Sequence, residues 1–246
     1  MLTPDQIQTL TTIAFCLEPL AEKSGCTTRT VDIVGKPLTD FLIAGISVGP
    51  AIRRFAASVI TDERAPIFAE YCAALQMSTQ YKSPKIISMG LLEIIFPVVY
   101  ARLRCEERDR VVDVVVSVMQ QESPQDVVHL SDARKIAWQT SGDVSKRAFD
   151  SAPFVSARSP WEFYERMHVQ QGGPESSRQW AQEYFDGLPI LRQVLDVLTG
   201  ITDATAMVAA TAQVHADVVA ARPGVKVGMV ADMCAAGLFL HLTFLQ

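Results

Sequence analysis

Apolar residues recur at the three- and four-residue spacing of a helix face through most of the chain, and this periodicity restricts the fold more than any other feature. No segment alternates apolar and polar residues with the two-residue period of a half-buried strand. The β-branched run VVDVVVSVM, residues 111–119, is the one ambiguous stretch. We favour a helix there over a buried strand because Asp113 and Ser117 lie four residues apart, as on one helix face. The pattern therefore predicts an all-α fold.

Helix start and stop signals divide the chain into about nine to eleven helices. Thr3 and Pro4 begin the first, which is predicted over residues 4–24. The others are predicted over residues 37–60, with a break at Gly49 and Pro50, and over 65–80, 84–104, 109–121, 124–139, 161–170, 175–185, 202–221 and 228–244. Because 49% of the residues are apolar, one large core can form. We expect a single domain, residues 1–246, built as a compact bundle around a central apolar C-terminal helix.

Charge and hydropathy argue against several classes of partner. The 22 basic and 27 acidic residues are interspersed, so no basic run can follow a phosphate backbone, and nucleic acid is not expected. The N-terminal segment lacks the features of a signal peptide, which predicts a cytoplasmic protein. Residues 227–245 approach the length of a membrane span but contain Asp232 and His241. We interpret them as a buried core helix and expect no membrane partner.

Cysteines and histidines give little support for metal or nucleophilic chemistry. The five cysteines include no CxxC pair, and we interpret them as reduced core thiols rather than metal ligands or disulfides. The four histidines are widely separated and form no HxxxH or HExxH pair. The chain also lacks a Walker lysine loop and a GxGxxG turn, so the common nucleotide-binding folds are not predicted.

A first cluster of polar residues lies where the first predicted helix ends. Its members are Glu18, Lys23, Gly25, Thr27, Thr28, Arg29 and Asp32. The glycine and the threonines offer backbone amides and hydroxyls that can hold phosphate oxygens beside the two cations. The alternative is an ordinary helix C-terminus, where a glycine cap and a lysine near the negative end of the helix dipole serve stability alone.

Two further clusters are candidates. Asp232 lies in the first turn of the last helix, four residues after Gly228. Its carboxylate could hold Mg²⁺ next to a nucleotide, or it could simply complement the positive end of the helix dipole. A long loop carries Asp143, Lys146, Arg147 and Asp150, followed by Arg158 and Glu162. That loop is either a lid over a charged ligand or a solvated connection.

Taken in this order, the first two clusters resemble the triphosphoribosyl-dephospho-CoA synthase family. LEPLAEKSGCT, residues 17–27, is similar to the family's LExxAxPKPGxV segment, with Ser24 in place of the second proline. TDFLIAGISVGPAIRRFA, residues 39–56, resembles the family's second helix, and GMVADMCAAGLFL, residues 228–240, resembles its G-x-x-ADL-x-AA-x-LFL pattern. The family's central NT-x-x-G segment falls on Gly90, but its asparagine and threonine are missing here.

This resemblance implies a helical enzyme that joins ATP to dephospho-CoA and releases adenine. It implies a cleft between the N-terminal loop and the last helix that binds a phosphorylated, nucleotide-like ligand with Mg²⁺. In such a site Glu18, Lys23 and Asp232 are the expected catalytic residues. Lys23 and Arg29 would neutralise phosphate charge, while Glu18 and Asp232 would hold the metal or stabilise positive charge at a ribose carbon. Asp32 is the second expected metal ligand, and the remaining ligand-binding residues are Gly25, Thr27, Thr28, Gly90 and Gly228.

Because the central motif is missing, two functions stay open. One is a divergent transferase in cofactor biosynthesis, acting on ATP and on a dephospho-CoA-like or other phosphorylated small molecule. The other is a non-catalytic helical protein that binds a ligand or a partner, for example in a pterin or one-carbon carrier pathway. A homodimer is an open expectation in both cases.

Overall fold

The computed structural model describes residues 1–81, 86, 89–139, 156–169 and 175–246, and this part of the chain is helical without β-strands. In chain order the helices are α1 Pro4–Leu17, α2 Leu38–Ser47, α3 Gly49–Thr61, α4 Tyr71–Met77, α5 Met89–Arg104, α6 Val111–Gln120, α7 Pro124–Gln139, α8 Pro160–Val169, α9 Glu175–Phe185, α10 Pro189–Leu198, α11 Ala204–Ala221 and α12 Val227–Phe244. The all-α prediction is confirmed. With α2 and α3 taken as the one kinked helix that was expected, the described helices number eleven.

The first helix begins as predicted and ends earlier. The Thr3 hydroxyl accepts a hydrogen bond from the Gln6 amide, and the Gln6 side chain accepts one from the Thr3 amide, which forms a capping box. The prediction of a helix to residue 24 is wrong, because α1 ends at Leu17 and a 3₁₀ turn, Glu18–Leu20, follows it. Pro19 has no amide hydrogen to donate, so the regular α-helical ladder is interrupted at that turn.

Other boundaries follow the predicted signals with two differences, and helix α10, Pro189–Leu198, was not predicted at all. The expected break lies at Val48, between α2 and α3, and Pro50 stands in the first turn of α3. The predicted helix over residues 65–80 is shorter, because residues 65–70 are not helical and α4 extends only over Tyr71–Met77. The described part of α5 begins at Met89, and the predicted start at residue 84 lies outside the described residues. The β-branched run is helix α6, as favoured.

A shifted capping box begins α8. The Glu162 amide donates to the Ser159 hydroxyl at 3.1 Å, as the sequence predicts. The Glu162 carboxylate accepts from the Arg158 amide at 2.7 Å, one residue earlier than a standard capping box requires. The four charged residues proposed as a lid, Asp143, Lys146, Arg147 and Asp150, lie outside the described residues. Arg158 and Glu162 belong to a surface ion-pair network that also includes Glu122 and Arg166.

The C-terminal helix α12 lies at the centre of the fold. It packs against α1, α5, α10 and α11, and one cluster of buried apolar residues extends from Leu2 to Leu240. At Gly237 the backbone of α12 closely approaches Val194 of α10. The predicted central apolar C-terminal helix is therefore confirmed. In the alanine-rich helix α11 most of the alanines face outward, and the buried face consists of Met207, Thr211, Val214, His215 and Val218.

Two described stretches are long and apolar enough to cross a membrane by length and composition. They are Leu38–Thr61, with a mean hydropathy of 1.3, and Val227–Phe244, with a mean hydropathy of 1.6. Within the fold, 72% of the second stretch is buried, so its place in the core accounts for its hydropathy. All five cysteines are free thiols; Cys105 and Cys234 are buried and the other three are partly exposed.

Candidate functional site

A cavity of about 180 Å³ lies between the end of α1, the loop that follows it and the first turns of α12. Its wall is mostly apolar and includes Phe15, Ile33, Phe41, Ala44, Leu91, Val227 and Ala231. The polar side chains that line it are Glu18, Cys26, Thr27, Lys36 and Asp232. A small, mostly apolar hollow with a few convergent polar groups is the usual form of a ligand site.

The two ends of the chain meet in this cavity. Glu18 lies in the 3₁₀ turn after α1, and Asp232 lies in the second turn of α12, yet both carboxyl groups line the same hollow. Gly25, Thr27 and Gly228, three of the expected ligand-binding residues, line it too. The expectation that the N-terminal turn faces the start of the last helix therefore agrees with the geometry.

Lys23 is buried beside Glu18 and does not line the cavity. Its Nζ lies 2.8 Å from Glu18 Oε1, and it also donates to the backbone carbonyls of Glu18 and Ala21. The side chain has no solvent exposure, and these three acceptors match the three hydrogens of an ammonium group. Burial raises the pKa of Glu18, and the Lys23 charge opposes that rise. Lys23 thus anchors Glu18, and the expected contact of Lys23 with phosphate does not fit this geometry.

Unlike Glu18, Asp232 forms no ion pair within the described part of the chain. Burial raises the pKa of Asp232 well above its usual range, and the nearby Glu18 carboxylate raises it further, while Lys36 opposes the rise. No hydrogen bond contributes to that balance. The carboxyl group lies against the backbone of Gly90, next to the Trp180 ring. Gly90 therefore makes room for Asp232, a packing role rather than the ligand-binding role that was expected.

The loop after the 3₁₀ turn is shaped by Gly25 and Thr27. Gly25 has a φ of +75°, a left-handed conformation that favours glycine. A Cβ added at this residue would lie 3.2 Å from the side chain of Val227 in α12. The Thr27 hydroxyl donates to the Lys36 carbonyl at 2.6 Å and accepts from the Ile33 amide at 3.2 Å. These contacts close the loop over the cavity and bring Lys36 to its edge.

Three of the expected site residues lie elsewhere. The Thr28 hydroxyl accepts from the amides of Thr30 and Val31 and stabilises the loop. Arg29 is exposed and pairs with Glu22 at 3.0 Å. Asp32 accepts a hydrogen bond from the Leu38 amide at 2.7 Å, which caps the start of α2. The expected phosphate contact of Arg29 and metal contact of Asp32 therefore do not fit this fold.

Lys36 is the cation that sequence reasoning missed. It is exposed, it lines the cavity, and its charge acts on both Asp232 and Cys26. No ion pair to its ammonium group is formed within the described part of the chain. The signal available in the sequence was its position immediately before Pro37, where the loop returns to α2.

A cysteine and a histidine lie side by side at one wall of the cavity, but they do not form a reactive pair. Cys26 Sγ lies 3.6 Å from His215 Nε2, and that nitrogen also lies 3.2 Å from the Val227 carbonyl, to which it donates. Burial raises the pKa of Cys26 to about 12, and the Glu18 charge contributes. Because Nε2 carries its hydrogen toward Val227, His215 cannot take the Cys26 proton through that atom. The pair does not form an activated nucleophile.

A buried charged cluster lies behind Asp232 and was also missed. Glu93 accepts hydrogen bonds from Arg134 and from the Tyr164 hydroxyl, and both charged side chains are almost completely buried. The second carboxylate oxygen of Glu93 has no hydrogen-bond partner. The Glu93 charge also raises the pKa of Asp232. Within this cluster it is the Glu93 carboxylate that acts on Asp232.

The arrangement of these side chains gives little support to the predicted metal site. Within the described ranges, no group of three or more His, Cys, Asp or Glu side chains is placed to hold a metal ion. Glu18 and Asp232 offer carboxylate oxygens, but Asp32 is engaged at the start of α2. These residues do not form a metal site by themselves.

No family model, no curated protein and no solved structure matches the chain. Its function therefore has to be inferred from the geometry of the cavity.

Proposed function

We propose that the chain binds an adenine nucleotide or a similar phosphorylated small molecule in this cavity, and that it is a divergent transferase of the kind its motifs resemble. The observation that carries the proposal is the meeting of Glu18 and Asp232 in one cavity. These two carboxyl groups belong to the two segments whose motifs carry the resemblance. Nothing in the local sequence of either segment requires them to meet.

The two carboxyl groups suit the departure of a base from ribose. When the bond between the ribose carbon and the base nitrogen breaks, the electron pair goes to the base and positive charge develops on the carbon. A protonated carboxyl group can give its proton to the departing base, and the raised pKa of Asp232 suits that role. A carboxylate held beside an ammonium group can stabilise the developing positive charge, which suits Glu18 next to Lys23. An acceptor hydroxyl oxygen then bonds to the carbon and loses its proton to water.

The involvement of Mg²⁺ stays a prediction. Mg²⁺ usually binds through one or two carboxylates together with substrate phosphates and several waters. The cavity supplies two carboxyl groups at most, so an ion would enter with the phosphates of the ligand. No chemical step proposed here passes through it.

Calorimetric titration with ATP and with dephospho-CoA, each with and without Mg²⁺, tests the proposal. Adenine release is then followed by chromatography with both compounds present. We expect ATP to bind, and Asp232→Ala to weaken binding by about tenfold or more, because the ligand loses a hydrogen-bond partner in the cavity. Asp217→Ala is the matched control, since Asp217 is an exposed residue of α11 outside the cavity. Absence of binding by both nucleotides would overturn the proposal, and so would equal binding by wild type and Asp232→Ala.

A non-catalytic ligand-binding protein is the second candidate. The observation that favours it is the loss of the expected cations, because Lys23 is fully engaged with Glu18 and Arg29 is paired on the surface. Binding could survive that loss while the stabilisation of a reacting phosphate chain would not. ATP binding that depends on Asp232 but releases no adenine with any phosphorylated acceptor would support this candidate over the transferase.

A further inference from the structure

We infer that the cavity holds an amine-bearing heteroaromatic ring of the ligand, whose amine and ring nitrogen bond to Asp232, while the phosphates stay at the mouth beside Lys36. This inference rests on the proposed function and deepens it, because it names the group that is recognised and the direction in which it enters.

The size and lining of the cavity fit a ring better than a phosphate chain. The cavity has a volume of about 180 Å³. That space suits one flat ring system, and it is below the roughly 300–1,000 Å³ of ordinary small-molecule pockets. The aromatic rings of Phe15 and Phe41 and the side chains of Ile33 and Leu91 present apolar surface to whatever enters. Charged phosphate oxygens would lose their hydration there without compensation.

The positions of the cations lead to the same orientation. Lys23 has no solvent exposure and gives its hydrogens to Glu18 and Ala21, so it cannot meet a phosphate deep in the cavity. Lys36 lines the cavity and is exposed, which places its flexible ammonium group at the mouth. A phosphate at the mouth keeps part of its hydration and gains one charge-assisted contact.

The base of the cavity is built to accept hydrogen bonds and to donate one. Glu18 is 7% exposed, and Lys23 Nζ lies 2.8 Å from its Oε1, so this oxygen is already paired. The Asp232 carboxyl group makes no hydrogen bond within the described residues, and its raised pKa favours the protonated form. A neutral carboxyl group both donates and accepts, so it matches the pairing of a ring nitrogen with a neighbouring amine.

A series of ligands without any variant tests the orientation first. Wild-type protein is titrated with adenosine, inosine, inorganic tripolyphosphate and ATP, each with and without Mg²⁺. Inosine differs from adenosine in having a carbonyl oxygen where adenosine has the amine. We expect adenosine to bind without Mg²⁺. Inosine should bind at least about tenfold more weakly than adenosine, which is a difference of about 1.4 kcal/mol in binding free energy. Tripolyphosphate should not bind measurably.

Two variants then locate the phosphates. Lys36→Ala is expected to weaken ATP binding by about tenfold and to leave adenosine binding unchanged. Lys135→Ala is the matched control, because Lys135 is an exposed lysine of α7 that pairs with Asp132. If ATP binds but adenosine does not, or if tripolyphosphate binds as tightly as ATP, the orientation is wrong while nucleotide binding stands. If adenosine and inosine bind equally, the recognition of the amine is wrong. If neither ATP nor adenosine binds, the proposed function itself fails.

Discussion

The backbone of Gly90 lies directly against the carboxyl group of Asp232, so closely that a Cβ at residue 90 would collide with Oδ2. The same Cβ would lie 2.9 Å from the Trp180 ring, which closes the other side. Helices α5 and α12 therefore come together at a point where one has no side chain and the other has a carboxyl group. The position of Asp232 at the base of the cavity depends on that contact.

Gly90→Ala is expected to lower the free energy of unfolding by about 1–3 kcal/mol, because the added methyl group overpacks the contact with Asp232 and Trp180. The substitution should also displace Asp232 and weaken ligand binding. Urea denaturation measures the stability, and calorimetry measures the binding. Gly228→Ala is the control, because no atom lies within 4 Å of its added Cβ, and its stability should stay equal or rise by up to about 1 kcal/mol. Equal stability of wild type and Gly90→Ala would contradict the contact.

The helices could be predicted from the sequence because burial of one helix face leaves a periodic trace in the residues themselves. Thr3, Ser159 and Pro50 mark boundaries through local chemistry, and the structure has helix starts there. The end of α1 was misplaced because the periodic apolar residues continue past Pro19 although the helix does not. Local patterns report which residues are buried, and they do not report where a hydrogen-bond ladder stops.

The site could be predicted only in part, because its geometry depends on tertiary contacts. The motifs at the two chain ends identify Glu18 and Asp232, and both line the cavity. Two of the three partners of Lys23 are backbone carbonyls, which no pattern of side chains reveals. Asp32 and Arg29 are polar residues in the right segment, but they face outward to cap a helix and to pair with Glu22. Sequence spacing alone does not distinguish these orientations.

Lys23→Met should destabilise the protein by about 3–5 kcal/mol at neutral pH, because it leaves the buried Glu18 carboxylate without its compensating charge. The double variant Lys23→Met/Glu18→Gln should recover part of that loss, since the unpaired charge is then removed as well. Denaturant unfolding of both variants and of Glu18→Gln forms a double-mutant cycle. Simple addition of the two single-variant losses in the double variant would show that the pair is not coupled.

Gly237→Ala should lower the free energy of unfolding by about 1–3 kcal/mol, because the new methyl group would meet Val194 where α12 crosses α10. Val194→Ala removes the opposing methyl groups, and although its Cβ still lies 2.8 Å from the new methyl group, it should restore part of the stability of the Gly237→Ala protein. The measurement is again a double-mutant cycle, and the expected coupling is favourable in sign. Two losses that only add would mean that the helices do not touch at this point.

The pH dependence of stability should change in a defined direction when Asp232 is replaced by Asn. The pKa of Asp232 is raised in the folded state, above an unfolded value of about 3.9, so the folded state holds this proton more tightly. The resulting contribution to stability is fully present below about pH 3.9 and is lost as the pH rises through the folded pKa. One proton can change the unfolding free energy by at most about 1.4 kcal/mol per pH unit. Asparagine does not titrate, so the stability of the Asp232→Asn protein does not fall through this residue as the pH rises.

Asp232→Asn should therefore gain stability relative to wild type as the pH rises from 4 to 8. Urea denaturation of both proteins at several pH values measures the difference. Glu18, Lys36 and Glu93, the charged groups that act on Asp232, are present in both proteins, so their own titration largely cancels. Asp217→Asn, measured at the same pH values, controls for the loss of a carboxyl group on the surface. A constant difference between wild type and Asp232→Asn over this range would show that Asp232 does not hold a proton in the cavity, and the proton donor of the proposed reaction would then have to be sought elsewhere.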